Sequence, residues 1–182
     1  TNRTAKEASM DLYFSPLACS LASRIALYEA NADARFIEVD PQTKLTLAGD
    51  DYRAIYPLGL VPLLRLDDGA LLPEGAAILQ YIADHAPGRV APANGTVSSA
   101  VLQNVLSYVS TEVHPSIGGL FNPTLTEEVK NHIKANAARK LEYLESTLIG
   151  NKQFLVGNSF TIADSYLYIV LSWSGYVGVD LS

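Results

Sequence analysis

Between Ala86 and Gly95 the chain reads APGRVAPANG, a run of proline, glycine and alanine without an apolar period. Proline has no N–H and a fixed φ, and glycine weakens helices and strands alike, so no regular element is expected to cross this stretch. The pattern changes across it. Before it, short apolar runs alternate with amphipathic ones; after it, every periodic segment repeats at spacings of three and four. This reading divides the chain into a domain at residues 10–86, a linker at residues 87–95 and a second domain at residues 96–182.

In the first part, DLYF (Asp11–Phe14) predicts a strand, which Ser15-Pro16 interrupts before a helix that begins near Cys19 and carries Leu21, Ile25 and Tyr28 on one face. ARFIEVD (Ala34–Asp40) alternates as a second strand and ends at Asp40-Pro41. VPLLRLDDGALL (Val61–Leu72) reads as a hairpin turning at Asp67-Asp68-Gly69, and EGAAILQYIADH (Glu74–His85) as an amphipathic helix. Together these predict a small α/β layer domain. In the second part, Val97–Val113 predicts one helix, ended by Pro115 and Gly118-Gly119, and Thr126–Ile149 another. The stripe of Val129, Ile133, Ala137, Leu141, Leu144 and Leu148 on the latter is expected to pack in a core. TIADSYLYIVLSW (Thr161–Trp173) is apolar nearly all round and predicts a buried central helix. Thr1–Ser9 are polar, precede the first Met and read as an extension or an expression remnant.

Composition narrows the function. A formal charge of -6 with scattered Lys and Arg argues against nucleic acid, whose backbone is bound by clustered cations. A single cysteine forms no internal disulfide, and no basic-flanked apolar leader is present, so a cytoplasmic protein is expected. The apolar runs fall short of the roughly 20 residues of a membrane-spanning helix. One Cys and three dispersed His offer no metal-ligand spacing.

Three short stretches carry possible chemistry. Cys19, the one thiol, is either a small core residue or a reactive group. In the first turn of a helix, free amides and the helix dipole would favour its thiolate. Val61-Pro62 stands before a strand, either as a trans strand start or as a cis turn that leaves the Val61 backbone free for an extended ligand. Glu74, between Pro73 and Gly75, either complements a helix dipole or grips an ammonium group.

In this order the stretches resemble the glutathione S-transferases, most closely the bacterial beta class. FSPLACSLASRIAL (Phe14–Leu27) keeps Ser15, Pro16, Ala18, Cys19, Ser20 and Ala22 of the family pattern; YPLGLVP (Tyr56–Pro62) keeps Pro57, Gly59, Val61 and Pro62; LPEGAAILQYIAD (Leu72–Asp84) and FTIAD (Phe160–Asp164) complete the likeness. The resemblance implies a thioredoxin-like α/β N-terminal domain, then an all-α C-terminal domain, with glutathione lying across the first. It implies that Cys19 meets the glutathione sulfur, that Val61 pairs by its backbone with the cysteinyl unit before a cis Pro62, and that Glu74 with the amides near Gly75 takes the γ-glutamyl end. Lys44 is implied at a glutathione carboxylate, with a solvated lysine the alternative. His114 falls where the beta class carries a histidine facing the cysteine; from the sequence alone it is equally a surface or core residue. Thr161 and Asp164 are implied as a structural capping box.

The activity implied is conjugation of glutathione to small apolar electrophiles in detoxification by a homodimer, with glutathione as co-substrate and no further cofactor. Glutathione-dependent thiol–disulfide exchange through Cys19 is a second expected activity. A non-enzymatic binding or regulatory protein on the same fold is the alternative. Departures from the family pattern are Phe14 for a frequent Tyr, Leu17 for Gly, Tyr56 and Leu58 in the proline loop, Gly75 for Ser and Pro115 for Lys. The family's usual terminal helix would follow Ser182.

Overall fold

The alternation in DLYF puts Leu12 and Phe14 on one face of a strand and Asp11 and Tyr13 on the other, and all four are buried because the strand runs inside a sheet. The structure is a computed structural model that describes residues 10–182, so Thr1–Ser9, read above as an extension, lie outside the described residues. Strand β1 (Asp11–Phe14) is parallel to β2 (Arg35–Glu38) and antiparallel to β3 (Leu63–Arg65), which pairs antiparallel with β4 (Leu71–Pro73), in the order β2-β1-β3-β4. The parallel step needs a crossover, supplied by α1 (Leu21–Ala30). The hairpin turns through Gly69 at a φ of 84° and leads into α2 (Gly75–His85), which packs against α1.

One side of the sheet is closed by Tyr13, Val39, Tyr52 and Leu63, with Ile37, Ile55, Tyr56 and Val61 packed on them. Tyr52 comes from a 3₁₀ turn (Tyr52–Ala54), and its hydroxyl donates to the Leu60 carbonyl at 2.7 Å, tying down the loop before Val61. The arrangement is the thioredoxin-like α/β domain expected. The buried face of α1 differs from the expected one. Ala22, Ala26, Leu27 and Ala30 face inward while Tyr28 is exposed, because small side chains let the helix lie close to its neighbours.

The first unit ends at Ala86, and the second runs from Pro87 to Ser182. Val90, within the proline-rich stretch, is buried, and its carbonyl accepts the Ile162 N–H at 2.9 Å. This unit is all helical: α3 (Val97–Tyr108), α4 (His114–Gly118), α5 (Glu127–Tyr143), α6 (Ile162–Ser172) and α7 (Ser174–Val177). Thr96 and Thr126 cap α3 and α5 by accepting the N–H groups of Ser99 and Val129.

Pro115 does not end the first of these helices. A π-helical turn (Val109–Val113) joins α3 to α4, with the His114 N–H donating to the Val109 carbonyl. In a continuous α-helix, Pro115 would leave the Thr111 carbonyl without a donor and press its ring on the preceding turn. The wider turn instead seats the proline in the first turn of α4, where an N–H is not required. The Glu112 carbonyl accepts from the Ser116 hydroxyl at 2.6 Å and the Lys140 ammonium at 3.3 Å. The second long helix is likewise interrupted, α5 giving way to a π turn (Leu144–Ile149). Of its stripe, Ala137 and Leu144 are buried and Val129 is exposed. Helix α6 is buried except at positions such as Tyr168, and its start is closed by the expected capping box: the Asp164 carboxylate accepts from the Thr161 N–H at 2.7 Å, the Thr161 hydroxyl at 2.8 Å and the Leu155 N–H at 2.9 Å. No helix of the described residues is long and apolar enough to cross a membrane.

Candidate active site

The turn between β1 and α1 is wound by side chains bonding to their own backbone. The Ser15 N–H donates to Ser20 Oγ at 3.1 Å, the Ser20 hydroxyl returns a bond to the Ser15 carbonyl at 3.2 Å, and Ser15 Oγ donates to the Val39 carbonyl at 2.6 Å. Leu17 adopts a left-handed φ of 59° within this turn. Cys19 is thereby brought to the loop that opens β3, where its thiol donates to the Val61 carbonyl at 3.5 Å. The Val61-Pro62 peptide is cis, and the Val61 N–H has no hydrogen-bond partner among the described residues. Gly75 abuts the proline: a Cβ on it would stand 3.7 Å from Pro62 Cγ. Glu74 is exposed at the position before α2, with a φ of 73° and no capping bond, so it is not the first-turn residue that the sequence predicts.

The thiol departs from expectation. Helix α1 starts at Leu21 behind Ser20, which leaves Cys19 ahead of the helix instead of in its first turn. Burial pushes the Cys19 thiol above its ordinary value; the N–H groups of Cys19 and Ser20 pull it down by less, and the Glu74 carboxylate adds to the rise. Cys19 therefore keeps its proton at neutral pH, and the expected helix-terminus thiolate is corrected to a thiol that donates.

Lys44 lines the same loop. Together with Arg53 it flanks Gly59, where a Cβ would lie 3.5 Å from Lys44 Cδ and 3.4 Å from Arg53 Cγ. Gly59 has a φ of 62°, so glycine serves there both conformation and space. Cys19, Val61, Glu74 and Gly75 thus converge in the first unit, with Lys44 beside them. His114 belongs to the second unit, half-buried at the start of α4, with Nδ1 2.8 Å from the Tyr166 hydroxyl. Burial pushes its imidazole below the ordinary value, toward the neutral form.

The description "Glutathione S-transferase, N-terminal domain" matches residues 18–85, and "Glutathione S-transferase, C-terminal domain" matches residues 112–177. The chain belongs to the glutathione S-transferase family. It is 43% identical to the glutathione S-transferase GstA of Escherichia coli O157:H7 over 174 residues, covering 94% of this chain and 86% of that one. Among solved structures, the sphingomonad glutathione S-transferase in complex with glutathione is similar at a TM-score of 0.88 and 41% identity, covering 94% of this chain and 85% of its own. The bacterial beta-class transferase of Sphingomonas chungbukensis stands at 0.86 and 38%, with the same coverage.

In this transferase Phe14, the departure from a frequent tyrosine, is buried under the Arg24 guanidinium, which lies 4.3 Å from its ring centroid and 4.7 Å from that of Phe36. A cleft of about 510 Å³ on the β2 side of the sheet is lined by Tyr13, Arg35, Ile37, Leu47, Ile55 and Arg65 among others, and includes none of the residues that the family likeness assigns to glutathione. Tyr166, the partner of His114, is the site-related residue that sequence reasoning did not single out. Its signal was present: a tyrosine in a helix expected to be buried needs a partner for its hydroxyl.

Proposed function

We propose that this glutathione S-transferase binds glutathione across its first unit and conjugates it to small apolar electrophiles. The observation that carries the reading is the convergence of the Cys19 thiol, the Val61 backbone and the Glu74–Gly75 helix start around one cis proline. In this reading the Val61 N–H and carbonyl pair with the cysteinyl unit, Glu74 holds the γ-glutamyl ammonium with the amides near Gly75 beside it, and Lys44 meets a carboxylate. Cys19, protonated, turns its S–H from the Val61 carbonyl to the glutathione sulfur and stabilises the thiolate by donation. That thiolate attacks the electrophilic carbon, forming the C–S bond as the leaving group departs with its electron pair, and the glutathione thiol proton passes to solvent. By the family likeness His114 is the second catalytic residue. No further cofactor enters the scheme.

Thiol–disulfide exchange is the slower, alkaline-favoured activity of the same thiol. The Cys19 thiolate attacks the glutathione sulfur of a disulfide between glutathione and another thiol and expels that thiol as its thiolate; a second glutathione thiolate then attacks the Cys19–glutathione disulfide, releasing oxidised glutathione and restoring Cys19, and oxidised glutathione alone loads Cys19 with the same adduct. The test pairs turnover of a chromogenic aryl halide with intact mass after incubation with oxidised glutathione. Conjugation is expected at neutral pH, and the adduct of one glutathionyl group is expected to form slowly there and faster as pH rises, to be removed by dithiothreitol and to be absent in Cys19→Ser. Turnover absent at every pH would sink conjugation, and a missing adduct would sink exchange. The non-enzymatic alternative is not favoured. The resemblance also supports a homodimer, for which light scattering is expected to give about twice the 19.6 kDa of the chain; a monomer mass at micromolar concentration would contradict it.

A further inference from the structure

We propose that Tyr166 and Gly118 are positioning residues that hold the His114 imidazole in one orientation and one tautomer, with Nε2 as the nitrogen left to act. The inference rests on the reading that His114 serves the glutathione site. His114 begins α4 directly after the π turn, and its ring is held on three sides. Nδ1 lies 2.8 Å from the Tyr166 hydroxyl, with the two rings edge to face at 83°. The Trp173 ring stands 5.2 Å away, centroid to centroid, and is itself backed by Phe121 at 6.0 Å. One turn along α4, Gly118 forms the floor: a Cβ there would come within 3.2 Å of His114 Cδ2, 3.5 Å of Nε2 and 3.5 Å of Trp173 Cζ3. The imidazole packs closely on this glycine, and a Cβ there would make the ring give by a few tenths of an ångström.

Nε2 has no hydrogen-bond partner among the described residues, and the Tyr166 hydroxyl at Nδ1 can donate to the ring or accept from it, so the direction of that one bond and the tautomer of the ring are tied together. The backbone beneath is also fixed. Lys140 reaches from α5 to Glu112 Oε2 at 2.9 Å and Ser116 Oγ at 3.0 Å, clamping the π turn from which His114 projects. Neither Tyr166 nor Gly118 is required to touch glutathione for this role; each acts through the histidine.

The experiment combines long-range ¹H–¹⁵N NMR of the histidine ring with steady-state kinetics. In the native chain His114 is expected to show a single tautomer, and in Tyr166→Phe a mixture of both. The same variant is expected to lose about tenfold in kcat while the glutathione KM stays within about twofold, since misplacing a catalytic group acts on the transition state. Gly118→Ala, which keeps the hydroxyl but displaces the ring, is expected to lose kcat similarly. His114→Ala separates the two levels. Full kcat in His114→Ala overturns the reading of the histidine and this inference with it. Loss of kcat in His114→Ala, with a single tautomer and full kcat retained in Tyr166→Phe, overturns the positioning role alone. Should Tyr166→Phe fail to fold, mixed tautomers in the native chain or full kcat in Gly118→Ala overturn it equally.

Discussion

Glu74→Ala is expected to raise the glutathione KM roughly ten- to a hundredfold, the equivalent of about 1.5–3 kcal/mol for a charge-assisted contact, with kcat nearly unchanged. The γ-glutamyl ammonium lies far from the reacting sulfur and carries the same charge in the ground and transition states, so its anchor contributes to both equally. Glu74 is suited to that work because it is exposed before α2, with no capping bond committing its carboxylate to its own helix. A second effect follows from the charge. Glu74 helps to keep the Cys19 thiol protonated, so removing it should speed alkylation of Cys19 at a fixed neutral pH. Glu74→Gln keeps the shape and loses the charge, and is expected to follow Glu74→Ala in both measurements. A variant whose kcat falls while KM holds would remove Glu74 from the role of anchor.

The first domain was legible because its signals are local. The hairpin showed in Asp67-Asp68-Gly69, the strand of β1 in DLYF, and the proline loop in YPLGLVP, each a stretch whose residues meet their own neighbours. The π turn was not legible, because the rule that proline stops a helix holds only while the helix stays α. The bonds that make the exception tolerable come from Ser116 and, across the unit, from Lys140. The Cys19 thiol was misread for a similar reason. Its helix-end position suggested a lowered value, whereas burial, which depends on the whole tertiary structure, raises it. The Tyr166–His114 pair spans 52 positions along the chain, beyond the reach of any periodic pattern.

The same holds for Asp11, and its replacement by asparagine is expected to lower the unfolding free energy by about 2–3 kcal/mol at neutral pH. Asp11 lies at the start of β1 opposite Arg35 of β2 and Arg65 of β3, in register with both. Arg35 Nε meets Oδ1 at 2.7 Å and its second nitrogen meets Oδ2 at 2.9 Å, while Arg65 reaches Oδ2 through Nε at 2.9 Å and through its terminal nitrogen. The expected loss is moderate because the two guanidinium groups remain 64% and 36% exposed, so water takes up part of what asparagine no longer provides. Burial alone would raise the Asp11 carboxyl, but the bonds from Arg35 and Arg65 outweigh it and hold it below the ordinary 3.8. A depressed carboxyl stabilises the fold above its unfolded value and loses that contribution as pH falls through its folded value. The native chain should therefore lose part of its advantage over Asp11→Asn below about pH 4, converging toward the variant in acid. Chemical unfolding at pH 7 and at stepped acidic pH measures both. The clamp sits at one end of β1 and the Cys19 turn leaves from the other, and none of the bonds that Asp11 makes reaches Cys19 or Val61. At temperatures where Asp11→Asn is still folded, its kcat and glutathione KM are expected to match those of the native chain, and a selective loss of glutathione affinity would mean that the clamp tunes the site as well as the fold.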